Sequence, residues 1–173
     1  NYLVEAEHDI AVLCISGDWD DINYAYSSSR SNREEEVHIE YYESDGSIGV
    51  SFPAGIRVVG LISRSYPQKS LNIYLRGGYG QSDVVYPFFD DYPVVDFQSL
   101  TIRNSGQDLF YSHMKTAFFE MAVQDMDVDN MQQKPVAVYI NGRYWGMYWL
   151  SENQNEDHFA SAYDFDRDDI EVV

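Results

Sequence analysis

The dipeptide Asn141-Gly142 lies between two β-rich runs, Val136 to Ile140 and Tyr144 to Leu150. Both residues tolerate positive φ, which a two-residue type I′ turn demands, so this segment predicts a β-hairpin. Other segments share the period of two. Val37 to Glu43 alternates, Ser-Asp-Gly-Ser at 44–47 supplies turn chemistry, and Ile48 to Phe52 returns as a hairpin partner. Further strands are expected at Gly55 to Ile62, Ser70 to Arg76 and Phe97 to Arg103. In the second of these, Leu71, Ile73 and Leu75 alternate with Asn72, Tyr74 and Arg76. A helical period dominates only Asp108 to Gln124. There Leu109, Met114, Ala117, Phe118, Met121 and Ala122 form a stripe, with Ser105 or Asp108 available as a cap. Glu156 to Tyr163 reads as a short helix. This order predicts an α+β fold: a mainly antiparallel β-sheet with one long helix and a short C-terminal helix.

A length of 173 residues fits a single domain, 1–173, with the polar stretch 27–36 as a loop leading into a strand. Asn1 is not Met, and Asp-Asp-Ile-Glu-Val-Val at 168–173 reads like the opening of a strand, so an excised piece of a longer protein is expected. Hydrophobic residues make up 45% and aromatics 16%, which argues against intrinsic disorder. The formal charge of −18 repels phosphate backbones and argues against general nucleic-acid binding. No apolar run approaches the ~20 residues of a membrane-spanning helix. Cys14 is the one cysteine; it permits no internal disulfide, and in the apolar run Ala11 to Ile15 it reads as a small buried hydrophobe.

Three segments concentrate groups able to do chemistry. Ser63-Arg64-Ser65-Tyr66-Pro67-Gln68-Lys69-Ser70 places an Arg, a Lys and several hydroxyls between two strands. A guanidinium fork and an ammonium both suit an anion such as phosphate, although local chemistry alone favours a surface loop whose basic residues pair with nearby acids. Leu100 to Asp108 carries a strand into a helix, a junction whose free N–H groups suit an anion or ordinary capping. In the aromatic hairpin from Asn141 onward, Glu152 closes a strand, where it could pair with a lysine, approach a metal or be solvated. Asp125 to Asn130 resembles half a calcium loop, but its sixth position is Asn130 and its twelfth Val136. Asp164 to Asp169 departs from that pattern too. His8, His38, His113 and His158 are dispersed, with no paired zinc spacing.

Taken together, four blocks in order resemble the spore coat protein H (CotH) kinase family, in the amino-terminal portion of its domain. They are Glu40-Tyr-Tyr-Glu-Ser-Asp-Gly-Ser47 with Ala54-Gly-Ile-Arg57, then Ser63-Arg64…Pro67-Gln-Lys69-Ser70-Leu71 with Tyr79-Gly80 and Tyr86-Pro87-Phe88-Phe89. Leu100-Thr-Ile-Arg103-Asn104-Ser105-Gly106-Gln-Asp108 follows. Last comes Val138-Tyr-Ile-Asn141-Gly142-Arg-Tyr144-Trp145-Gly146-Met-Tyr148…Glu152, trailing into Asp168-Asp169-Ile170-Glu171. The resemblance implies an atypical protein-kinase-like fold that transfers the γ-phosphate of ATP to serine on protein substrates, with Mg²⁺ or Mn²⁺. It implies that Ser63, Arg64 and Lys69 contact phosphates, that Glu152 orients Lys69 or organises the metal, and that Arg103, Asn104 and Asp108 shape the pocket floor. It also implies a spore-surface or extracellular bacterial setting.

Two departures stand out. Val58-Val-Gly-Leu-Ile62 replaces a more polar Arg-Gly-Asn-Ser-like run, and Lys115-Thr-Ala117 stands where Arg-Asp-Ala is common. The family's catalytic aspartates are expected beyond Val173, so this chain is expected to be inert alone and to self-associate through an apolar face. The competing reading is a non-catalytic extracellular or spore-surface scaffold that binds carbohydrate or basic, Ser-rich proteins.

Overall fold

The computed structural model describes residues 8–27, 33–123, 125, 126, 128, 130–153, 155, 156, 159, 166 and 169. Seven strands close into a barrel in the order β1-β2-β3-β4-β7-β9-β8. They are β1 (Ala11–Ser16), β2 (Glu35–Tyr42), β3 (Ile48–Val59), β4 (Ser70–Tyr74), β7 (Ser99–Arg103), β8 (Gln133–Ile140) and β9 (Arg143–Glu152). Two short strands, β5 (Val84–Val85) and β6 (Asp96–Phe97), form a separate ribbon. Neighbouring barrel strands run antiparallel except at the seam, where β1 pairs in parallel with β8 from Ala11↔Val136 to Ile15↔Ile140. Closure removes the open edges a seven-stranded sheet would otherwise present.

The period of two in the sequence becomes the barrel's inside and outside. Leu13, Ile15, Val37, Ile39, Tyr41, Phe52, Ala54, Ile56, Leu71, Ile73, Leu100, Ile102, Val136, Val138, Tyr148 and Leu150 share one buried core. A smaller cluster, Val12, Cys14, Tyr42, Ala137 and Tyr139, covers the outside of the seam. Cys14 is thus buried as expected, and burial pushes its thiol up to about 11 with the Glu40 charge adding to it.

The Asn141-Gly142 hairpin forms as predicted, with φ of 47° and 76°. Asn141 also ties the turn to β1, since its side chain bonds both the N–H and the carbonyl of Gly17 at 3.0 Å. The two strands expected on either side of Pro53 are one continuous strand, β3. Pro53 falls before the β4 pairing begins at Gly55, where β3 has a sheet neighbour on one side only and a missing N–H is tolerated.

Helices depart further from expectation. There are two among the described residues, α1 (Trp19–Ser27) and α2 (Lys115–Val123). α1 is capped by Asp18, whose carboxylate accepts the Asp20 N–H at 2.8 Å, and it buries Ile22 and Ala25. The helix expected from Asp108 begins only at Lys115. The Asp108 carboxylate accepts the N–H groups of Ser112 and Lys115 and the Ser112 hydroxyl, and His113 turns left-handed at φ 61°. A short 3₁₀ turn, Gly106–Phe110, takes the place of the missing helical turns. On α2 only Ala117 is buried, and Phe118, Phe119 and Met121 are exposed, so the apolar stripe does not face the core. Most of the expected Glu156–Tyr163 helix, Asp127 and Asp129 of the calcium-like segment, most of the second acidic segment and the final 170–173 stretch lie outside the described residues.

Candidate functional site

The outer face of β4, β7 and β9 is polar where alternation turns side chains away from the core. Ser70, Asn72, Thr101 and Ser151 are buried there although their strands carry apolar residues inward. They floor a cleft of about 390 Å³ that also takes in Gly60, Ser63, Arg103, Asn104, Met131, Glu152 and Asn153. Three connected segments thus wall one space: the loop after β3, the turn after β7 and the end of β9.

Hydrogen bonds fix this floor. Thr101 donates from Oγ1 to Asn72 Oδ1 at 2.9 Å, and Asn72 donates from Nδ2 to the Tyr74 hydroxyl at 2.8 Å. Arg57 also donates to that hydroxyl. The guanidinium groups of Arg57 and Arg76 lie 4.6 and 4.8 Å from the Tyr74 ring centre, a pair of cation–π contacts in an acidic chain. Asn104 is the junction of the walls and has no exposed surface. Its Oδ1 accepts from Ser70 Oγ and from the Gly106 N–H, both at 2.9 Å, and its Nδ2 donates to the Gln68 carbonyl at 2.6 Å. The Gly106 N–H is therefore already engaged by Asn104, and the Asp108 N–H by the Ser105 carbonyl, so neither is left to an anion at the strand–turn junction.

The cleft's charges are one of each sign among its lining residues. Arg103 is the cation, and its described side-chain contact is a long one from Nη1 to the Met131 sulfur at 3.6 Å. Glu152 is 2% exposed, not solvated, and its Oε2 accepts the Gln132 N–H at 3.0 Å. A guanidinium beside hydroxyls and amides suits an oxyanion, and a buried carboxylate beside the Asn153 amide suits a hard cation that keeps its other ligands from water and phosphate. No group of three or more His, Cys, Asp or Glu gathers among the described residues.

Of the residues singled out from sequence, Ser63, Arg103, Asn104 and Glu152 line this cleft together. Arg64, Lys69 and Asp108 do not. Lys69 turns its ammonium onto the carbonyls of Arg64 and Tyr66, and burial lowers its pKa. Among the described residues it makes no ion pair with Glu152. Asp108 is spent on Ser112 and Lys115, bonds that hold its carboxyl below the usual range. Asn72, Thr101 and Ser151 were not singled out. Their signal was the polar half of the alternation, which by itself does not say that three strands' polar positions meet in one cleft.

A family model for the CotH kinase protein matches residues 56–172, more than half of the chain. The chain belongs to the CotH kinase protein family. The match takes in every residue of the cleft, and β1, α1 and β2 precede it. A search of curated proteins returned no match. Membership of the CotH kinase family points to a kinase-like function, and no helix of the described residues is long and apolar enough to cross a membrane.

Proposed function

We propose that this chain is the nucleotide-binding part of an atypical, protein-kinase-like phosphotransferase, and that the cleft receives the phosphates of ATP with Mg²⁺ or Mn²⁺. The observation that carries the reading is the convergence of Arg103, Ser63 and Glu152 on one cleft inside the family-matched stretch. In this reading Arg103 forks onto phosphate oxygens, and the Ser63 hydroxyl and the backbone at Gly60 line the phosphate path. Glu152 and Asn153 would hold the cation, which would offset the negative charge of the phosphates. Lys69 joins by leaving the Arg64 and Tyr66 carbonyls, and Arg64 by turning toward the cleft. Serine on a protein is the acceptor.

The described residues bind in this reading and do not complete transfer. Transfer needs both a metal-holding carboxylate and a base that orients the hydroxyl. Glu152 is the one described carboxylate in the cleft, and one of its oxygens already accepts the Gln132 N–H.

One observation favours the second reading, a non-catalytic scaffold module. Lys69, the lysine expected on phosphate, is satisfied inside its own loop. Isothermal titration of Mg-ATP into the chain separates the two. The kinase-like reading expects saturable binding, weakened at least tenfold by Arg103→Ala and also by Lys69→Ala. Absence of binding by the unaltered chain refutes it.

A further inference from the structure

We propose that Tyr26 is a positioning residue for this site: its hydroxyl seats the Ser63–Lys69 loop, whose first residue, Ser63, lines the cleft. The inference rests on the nucleotide-binding reading and adds to it a residue from outside the family-matched stretch, on helix α1.

A phenol oxygen has one proton to give and two lone pairs to offer. Tyr26 uses all three on groups that the loop and β9 bring to it. It donates to the Pro67 carbonyl at 2.9 Å, and it accepts the Lys69 N–H at 2.9 Å and the Trp145 indole N–H at 3.0 Å. Its ring packs edge-on to Trp145 with centroids 5.2 Å apart, and the Lys69 ammonium stands 5.7 Å over its face. The opposite side of the same loop is held by Asn104, through the Gln68 carbonyl and the Ser70 hydroxyl. The loop is thus pinned from α1 on one side and from the cleft wall on the other, with Pro67, Gln68 and Lys69 as consecutive anchor points. The loop also holds itself, through Lys69 Nζ on the Arg64 and Tyr66 carbonyls, and Gln68 Nε2 donates to the Met147 carbonyl at 2.7 Å; its 3₁₀ turn, Ile62–Ser65, buries none of its residues. Loss of the α1 anchor frees the backbone that sets where Ser63 lies and where Lys69 can reach. The barrel interior is untouched by that loss, because Tyr26 is only partly buried against the core and the ring remains in Tyr26→Phe.

The test compares Tyr26→Phe with Tyr139→Phe, a control that removes a hydroxyl from the outside of the β1–β8 seam, where it meets His8 at 2.8 Å. Two readouts are taken well below both melting temperatures. The first is amide hydrogen exchange at Lys69. The second is the Kd for Mg-ATP by titration. The expected result is exchange at Lys69 at least tenfold faster and a Kd about tenfold higher in Tyr26→Phe, with both within twofold of the unaltered chain in Tyr139→Phe. Unchanged exchange at Lys69, or faster exchange with an unchanged Kd, overturns the inference. Failure of the nucleotide reading is seen separately, as absence of Mg-ATP binding by the unaltered chain, and it overturns the ligand-positioning role while exchange still decides whether Tyr26 seats the loop.

Discussion

Replacing Asn104 with alanine tests whether the cleft is a built structure or a gap between loops. Asn104 has no exposed surface, and its side chain makes three hydrogen bonds that join three segments: to Ser70, to the Gly106 N–H and to the Gln68 carbonyl. A net hydrogen bond contributes about 1 kcal/mol, so Asn104→Ala is expected to cost about 3 kcal/mol. The released carbonyl and N–H lie beside a cleft that water can enter, which keeps the figure from rising toward the full penalty of three orphaned groups. For a domain of this size that corresponds to a fall of roughly 6–12 °C in Tm. Urea unfolding followed by tryptophan fluorescence gives the free energy directly, and an unchanged slope shows that the folded state stays compact. Ser70→Ala and the double variant complete a cycle, because Ser70 Oγ both donates to Asn104 Oδ1 and accepts the Asn104 N–H at 3.0 Å. A coupling of about 1 kcal/mol is expected. A loss below about 1 kcal/mol for Asn104→Ala refutes the reasoning, since water would then replace these bonds without cost.

Gly142→Ala forces a side chain onto φ 76° at the β8–β9 turn and is expected to cost about 1 kcal/mol in urea unfolding. Burial pushes the Glu34 carboxyl up, but the Arg76 hydrogen bonds and charge outweigh it and leave its pKa below the ordinary value. A depressed folded pKa means stability present above the unfolded carboxylate range and lost as pH falls through the folded value, so Arg76→Leu should flatten the acid limb of the stability–pH curve. The exposed Phe118, Phe119 and Met121 on α2 offer an apolar patch of their own; association through it is a proposal, which sedimentation should show strengthening with salt as the charge of −18 is screened, and weakening in Phe118→Ser/Met121→Ser.

The hairpin about Asn141-Gly142 and the strands from Val37 to Arg103 were legible because a period of two is a local signal, readable without knowing the partner strand. Closure was not. The parallel β1–β8 seam joins residues 125 positions apart, and neither strand's pattern names the other. Helix α1 left a signal that went unread: Asp18 as cap, Asp20 and Asp21 in the first turn, and Ile22 and Ala25 three apart. The helix expected from Asp108 overran its true start because apolar spacing cannot register an aspartate that captures the backbone N–H groups of Ser112 and Lys115. At the site, Ser63, Arg103, Asn104 and Glu152 were named from their motifs and fall in one cleft. The ammonium of Lys69 was not placeable from sequence, because its partners are backbone carbonyls of its own loop and every residue has one.

The central claim is that Mg-ATP binds in this cleft and not elsewhere on the barrel. Amide chemical shifts of the isotopically labelled chain, followed through a Mg-ATP titration, test it most directly. The account predicts the largest changes at Gly60, Ser63, Arg103, Asn104 and Gly106, with Val12, Cys14 and Ala137 on the outside of the seam unmoved. Changes centred on the seam, or none at saturating nucleotide, would contradict it.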